Sequence, residues 1–217
     1  MKYLGTIILL LFVCSLSNAQ TPYERAAQEK CKQKVWQLND YISKIADKSR
    51  SNSTRLIFKK NALKLFISEG NEYTEFFTNT RNGREDSIVH QGVVMEVSSL
   101  SRGTVKPLLM KTYFHNLLNL KYQAVHVIST NAGDMKVTNL RLIRTDGDIK
   151  EYQCTVFFAQ VFSVTVDGKI IPIDKTYKKV KCYLTVDVSE NEMITRLGDV
   201  TVDKTEFPKD VNDTSVK

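Results

Sequence analysis

Two runs of alternating residues hinged on one tight turn constrain this chain most. Residues 150–166 and a return run to about residue 188 flank Asp167-Gly168, a dipeptide that suits a two-residue hairpin. On the return run Val180, Cys182, Leu184, Val186 and Val188 share one side, and Lys179, Lys181, Tyr183, Thr185 and Asp187 share the other. Period-two alternation of this kind predicts a strand with one buried and one wetter face. The outgoing run differs. Cys154, Val156, Phe158, Phe162 and Val164 lie on one side, interrupted by Gln160, while Thr155, Phe157, Ala159, Val161 and Ser163 lie on the other. Both sides are largely apolar, which predicts a central strand whose second face is covered by another subunit or lines a cavity.

A symmetric turn at Asp167-Gly168 sets Cys154 opposite Lys181, one residue out of register with Cys182. A single bulge corrects this, and Pro172, which cannot donate to the ladder, marks a place for it. Cys154 and Cys182 would then face each other, and either a disulfide or two buried thiols fits that placement.

The N-terminus reads as an export signal. Lys2 is followed by an almost wholly apolar stretch over residues 3–16 and by Ser17-Asn18-Ala19, the order of charge, apolar run and small-x-small site that marks a cleavable leader. Residues 1–19 are therefore expected to be removed and the protein to act in the periplasm or outside the cell. The apolar stretch is shorter than the roughly 20 residues a spanning helix needs, and no later stretch is long and apolar enough, so no membrane span is expected after removal. Cys14 would leave with the leader, leaving Cys31, Cys154 and Cys182. An odd count allows one intramolecular bridge at most. The spacings match no zinc pattern, and neither a metal nor a cofactor is expected. Losing Lys2 takes the formal charge from +7 to +6. The basic residues are scattered among acids rather than striped with aromatics, which argues against nucleic-acid binding.

The remainder predicts a single α+β domain over residues 20–206 and a flexible polar tail over residues 207–217. Thr21-Pro22-Tyr23-Glu24 reads as a helix start. Ala27, Cys31, Val35, Leu38, Ile42 and Ile45 then recur at spacings of three and four, as one apolar stripe of a long helix. A second helix is expected over residues 54–67, ended by Gly70, and a third from Pro107 to about residue 118. Strands are expected over residues 73–78, 93–99, 122–130, 136–145 and 193–204, with a polar turn region at residues 78–91.

That order of helix, helix, short hairpin, helix and a meander of long antiparallel strands resembles the NTF2-like, or SnoaL-like, cone fold. Stretches such as Tyr152-Gln153-Cys154-Thr155-Val156-Phe157-Phe158 and Arg196-Leu197-Gly198-Asp199-Val200-Thr201 are similar to exported proteins of that superfamily from Bacteroidetes-type bacteria. The resemblance implies N-terminal helices packed on a strongly curved antiparallel sheet, with a pocket between them. The fold hosts isomerases, dehydratases and non-catalytic binding modules alike, so it does not choose among them. Its enzymes place an acid/base pair inside the cone, and no position here matches one.

Individual residues carry the remaining functional signal. His126 shares a strand side with Tyr122, Ala124 and Ile128 and would be a general base if that side faced the pocket. His115 follows Phe114 on the third helix and could sit at a pocket mouth. Asn139 and Gln160 interrupt apolar sides, and a polar group in an apolar wall is what orients a bound ligand. There is no G-x-S-x-G, no P-loop and no H-E-x-x-H. The reading is a non-enzymatic exported domain that binds a small molecule or a partner protein and pairs as a homodimer through the outer sheet. The alternatives are a small pocket enzyme (isomerase, dehydratase or hydrolase) with an inward His126 or Asp, and a structural component of a cell-surface assembly.

Overall fold

The structure is a computed structural model that describes residues 22–78, 83–101, 103–122 and 124–216. The expected leader lies outside the described residues. In chain order the elements are α1 (Pro22–Ala46), α2 (Asn52–Leu63), a 3₁₀ turn (Ile67–Gly70), β1 (Tyr73–Thr78), β2 (Glu85–His90), β3 (Val94–Ser99) and β4 (Thr104–Leu109). Then follow α3 (Met110–Leu118), β5 (Ala124–Ser129), a 3₁₀ turn (Ala132–Asp134), β6 (Lys136–Val137), β7 (Arg141–Asp146), β8 (Ile149–Val166), β9 (Lys169–Asp187) and β10 (Glu192–Glu206). The class is α+β. Eight strands form one mixed sheet in the order β4-β3-β10-β9-β8-β5, with β6 and β7 also pairing to β8, while β1 and β2 form a separate hairpin. The sheet is mixed because β3 runs parallel to β10. No described helix is long and apolar enough to cross a membrane.

The β8–β9 hairpin organises the sheet. Asp167 and Gly168 both have positive φ, 49° and 73°, which matches the twist of the flanking strands. The ladder runs without interruption from Val166↔Lys169 to Ser163↔Pro172, then shifts so that Phe162 faces Asp174 and Ile173 is the extra residue. The bulge falls at Pro172, and it sets Cys154 opposite Cys182. It also reverses the parity of β9. From Asp174 onward the even-numbered residues turn to the helix side, where Val180, Cys182 and Leu184 are buried.

α1 lays its predicted stripe on that side. Ala27, Cys31, Val35, Leu38, Ile42 and Ile45 are all buried. Arg55 ties the helices together from α2. Its buried guanidinium donates to Ile45 O at 2.6 Å and to Leu118 O at 2.8 Å, in the last turns of α1 and α3. One charge thus satisfies carbonyls at two helix C-termini, where the backbone dipole favours a cation.

Four features depart from the sequence reading. Pro107 does not open α3; it sits in β4 opposite Glu96, on the outermost strand, where a missing N–H leaves no ladder bond unmade. α3 starts at Met110, whose N–H donates to Val93 O at 2.8 Å. The strand expected over residues 136–145 is two: at Thr138 the N–H still donates to Thr155 O at 3.0 Å, but the side-chain hydroxyl accepts the Thr155 N–H at 2.9 Å. The polar region after β1 contains a second strand, β2, with pairs from Tyr73↔His90 to Thr78↔Glu85.

The fourth departure concerns the tail. Within the tail expected over residues 207–217, Asp213, Thr214 and Ser215 are bonded to the sheet side chains Lys175 and Thr130. Thr130 Oγ1 donates to Thr214 O at 2.7 Å, and buried Lys175 donates to Asp213 at 2.7 Å and to Ser215 at 3.2 Å. Thr130 neighbours Ala159 and Lys175 pairs with Val161, so the tail crosses the second apolar face of β8. Ala159, Val161 and Ser163 are buried there. That face has a cover from its own chain and is no reason to invoke a second subunit.

At Gly198 the sheet admits no side chain. Gly198 and Asp199 form a bulge in β10 between Leu197↔Cys182 and Val200↔Val180. A Cβ on Gly198 would stand 2.5 Å from Cε2 of Tyr183. Gly198→Ala is expected to destabilise the domain by about 1–3 kcal/mol, because the Tyr183 ring must shift. Urea denaturation followed by circular dichroism measures this, and an unchanged midpoint would show that the ring is free to move. A chain ending at residue 207 should lose about 1–3 kcal/mol, the apolar area of Val161 and its neighbours returning to water. The same denaturation curves report it.

Candidate functional site

A cavity of about 370 Å³ lies between the helix side of the sheet and α3. β8 contributes Gln160 and Phe162, and the parity set by the bulge brings Ile173, Asp174, Thr176 and Lys178 of β9 into the same wall. Tyr113 and Leu117 of α3 lie across from them. The volume is that of a small-molecule site, and the lining mixes apolar side chains with about as many polar ones, a second lysine, Lys106, among them.

Lys178 is the unusual member. It is buried, and the contact of its Nζ is the thioether sulfur of Met95 at 3.8 Å. Among the described residues no carboxylate pairs with it. Burial therefore pushes its ammonium down to about 8. Asp174, also buried, is not its counter-ion; its carboxylate accepts the Leu100 N–H at 2.9 Å and holds the end of β3. Gln160 donates to Asn39 Oδ1 at 2.8 Å, leaving the Asn39 Nδ2 group buried with no partner among the described residues. An amine without a carboxylate and an amide donor without an acceptor both stand at or beside the cavity, and each is a binding opportunity for a ligand oxygen.

The other sequence candidates lie elsewhere. Gln160 is among the residues that line the cavity. His126 is not. Val125 and Val127 face the core, so alternation turns His126 to the opposite side of β5, where its Nε2 meets Thr165 Oγ1 at 2.9 Å. His115 is exposed, next to Asn119. Asn139 is exposed between β6 and β7. Lys178 was missed although its signal is in the sequence: extending the apolar side of β9 two residues back from Val180 puts a lysine in an inward position.

Cys154 and Cys182 face each other as buried thiols, and Cys31 of α1 joins them. Cys154 Sγ is 3.5 Å from Cys31 Sγ. The S–H groups of Cys182 and Cys31 hold Cys154 below the usual thiol range, while the hydrogen bond to Cys154, together with burial, raises Cys31 and Cys182.

A polar cluster on the outer side of the sheet centres on Glu75 of β1. Its carboxylate accepts from Tyr183 Oη at 2.8 Å, Lys181 Nζ at 3.0 Å and Gln153 Nε2 at 3.2 Å, and lies 3.0 Å from His90 Nε2. The His90 ring stacks on Tyr73 with centroids 4.6 Å apart. Burial alone would raise the Glu75 carboxyl, but the donors from Tyr183, Lys181 and Gln153 outweigh it and hold the group below its usual range. The cluster joins the β1–β2 hairpin to β8 and β9. Each of these four partners can donate to Glu75, and together they attach the hairpin to the sheet.

Glu75→Gln should release that attachment, with a loss of about 1–3 kcal/mol in the local opening energy of β1 and β2. Amide hydrogen exchange should accelerate in residues 73–90 and stay unchanged in β8 to β10. The folded state holds the carboxyl below its unfolded value of about 4.3. The contribution is therefore present above that pH and is lost as pH falls through the folded value. Exchange confined to wild-type levels in the variant would show that the hairpin is held by other contacts.

No protein-family profile matches the chain, and no curated protein matches it. Among solved structures the chain is similar, at a TM-score of 0.34, to the Kfla4162 protein from Kribbella flavida, with 12% sequence identity over 83% of this chain and 95% of that one.

Proposed function

We propose that the protein is an exported, non-enzymatic binding domain whose cavity takes a small carboxylate with an apolar body. The observation that carries this reading is Lys178, a buried amine in the cavity wall with no carboxylate of its own. A ligand carboxylate supplies the missing partner, and Tyr113, Leu117 and Phe162 supply apolar surface for the rest of the molecule. The element order, with a cavity between helices and sheet, supports an NTF2-like cone. Export rests on the leader-like residues 1–19. A structural component of a cell-surface assembly would need an exposed apolar patch rather than a cavity, and so fits this chain less well.

Asp174 favours a second reading, a pocket enzyme in which this buried carboxylate takes the part once sought for His126. The two readings separate on the fate of the ligand: a binding domain returns it unchanged, and an enzyme converts it.

The test is calorimetric titration with octanoate, benzoate and phenylacetate, each beside its uncharged amide. Carboxylates should bind and amides should bind at least tenfold more weakly. Affinity should fall as pH rises through about 8, where Lys178 loses its charge. Lys178→Met should abolish the difference between acid and amide. Bound compounds recovered and weighed by mass spectrometry distinguish binding from turnover. No carboxylate binding at millimolar concentration would sink the proposal.

Lys178 also has a stability signature. Its folded value of about 8 lies below the unfolded value of about 10.4. The unfolded chain therefore binds the proton first as pH falls, and folding is opposed below that window. Lys178→Met should be more stable than the wild type by on the order of 3 kcal/mol at pH 7, an upper bound. The gap should close as pH rises from 8 to 10.5, as read by denaturant midpoints.

A further inference from the structure

Three sulfur atoms meet in the core, apart from the cavity. The Sγ atoms of Cys31, Cys154 and Cys182 all lie within 4.8 Å of one another, and all three residues are buried. They come from α1, β8 and β9, and nothing in their sequence spacing announces the meeting. Their neighbours along the same faces are apolar and buried: Ala27 and Val35 on α1, Val156 on β8, Val180 and Leu184 on β9. Among the described residues no His, Asp or Glu joins the group.

The donor set narrows the occupant. Sulfur-only sites select soft, thiophilic ions. Closed zinc sites take four ligands, whereas this cluster offers three. Charge narrows it further. Three thiolates carry three negative charges, so a divalent ion leaves one and a monovalent ion leaves two. An uncompensated charge in apolar surroundings is strongly unfavourable. The nearest buried cation on that face, Lys178, stands four residues along β9 from Cys182, roughly 13 Å at strand rise. A trivalent ion leaves the site neutral.

The geometry points to a buried three-sulfur site for a trivalent thiophilic ion of the arsenic(III) class. Arsenous acid, As(OH)₃, enters as a neutral molecule. Each As–O bond is exchanged for an As–S bond, and each thiol proton leaves with a hydroxide as water. Three waters depart, no electron is transferred and no net charge is buried. The lone pair on arsenic occupies the fourth direction, so no fourth ligand is needed. The site exists only in the reduced protein, since a bond between Cys154 and Cys182 would consume two of its three ligands.

The test presents sodium arsenite to the reduced protein, both folded and during refolding, because buried thiols are reached only when α1 opens. After desalting, native mass spectrometry should show one arsenic per chain with the loss of three protons. X-ray absorption at the arsenic edge should count three sulfur neighbours. Cys31→Ala, Cys154→Ala and Cys182→Ala should each lower retention at least tenfold. The sulfur count on the wild type stands even if a variant fails to fold. The proposal is overturned by the absence of retained arsenic in both preparations, by two-sulfur coordination, by retention indifferent to all three substitutions, or by zinc or copper(I) displacing arsenic in competition.

Discussion

The ladder between β8 and β9 sets the register on which the rest of the molecule depends. One extra residue, Ile173, separates a hairpin in which Cys154 would face Lys181 from one in which it faces Cys182. Because side chains alternate with period two, the shift turns every later residue of β9 to the other side of the sheet. Without it Asp174, Thr176 and Lys178 would point away from the helices, and Lys179 and Lys181 would be driven into the core. The bulge thus decides in one step what lines the cavity and which sulfur atoms meet.

The two sides of the sheet are closed by different means. The helix side is covered by α1, whose stripe is continuous and apolar, and by α3. Arg55 holds the ends of those helices together by bonding carbonyls that the backbone cannot satisfy itself. The outer side is covered by polar devices: the Glu75 cluster under the β1–β2 hairpin at one end, and the tail with its Lys175–Asp213 pair at the other. Burial opposes the charge on Lys175, but Asp213 and Tyr177 outweigh it. Lys178, four residues along β9 from Cys182 and on the helix side, has no such partner among the described residues. A buried amine left unpaired works against folding, so its presence is more readily understood through a ligand than through stability.

Much of the fold was legible in local patterns. The stripe on α1, the alternation of β8, β9 and β10, the Asp167-Gly168 turn and the need for a bulge near Pro172 each follow from residues close together in the chain. Pro107 misled because proline suits both a helix start and an edge strand, and only the pairing with Glu96 decides between them. β2 was hidden because it is almost wholly exposed and its two apolar residues, Ile88 and Val89, are adjacent, so no alternation marks it. The side on which His126 lies was left open, because Tyr122 and Ile128, which share its parity, are apolar yet exposed. The apolar second face of β8 was legible, but its cover was not, because the tail that crosses it is polar and bonds through Thr130 and Lys175.

The sequence by itself determined the α+β class, the long hairpin, the stripe of the first helix and the parity that makes Cys154 and Cys182 neighbours. These are consequences of period and turn chemistry, which act over a few residues. Only the tertiary structure decided that Cys31 completes a group of three, that Lys178 ends without a carboxylate, that Glu75 gathers four partners and that the chain covers its own sheet. Each of these joins residues between 15 and 151 positions apart, as from Glu75 to His90 at 15, from Lys175 to Asp213 at 38 or from Glu75 to Tyr183 at 108. Side-chain chemistry at such separations depends on which faces are brought together, and that is set by packing, not by any local pattern.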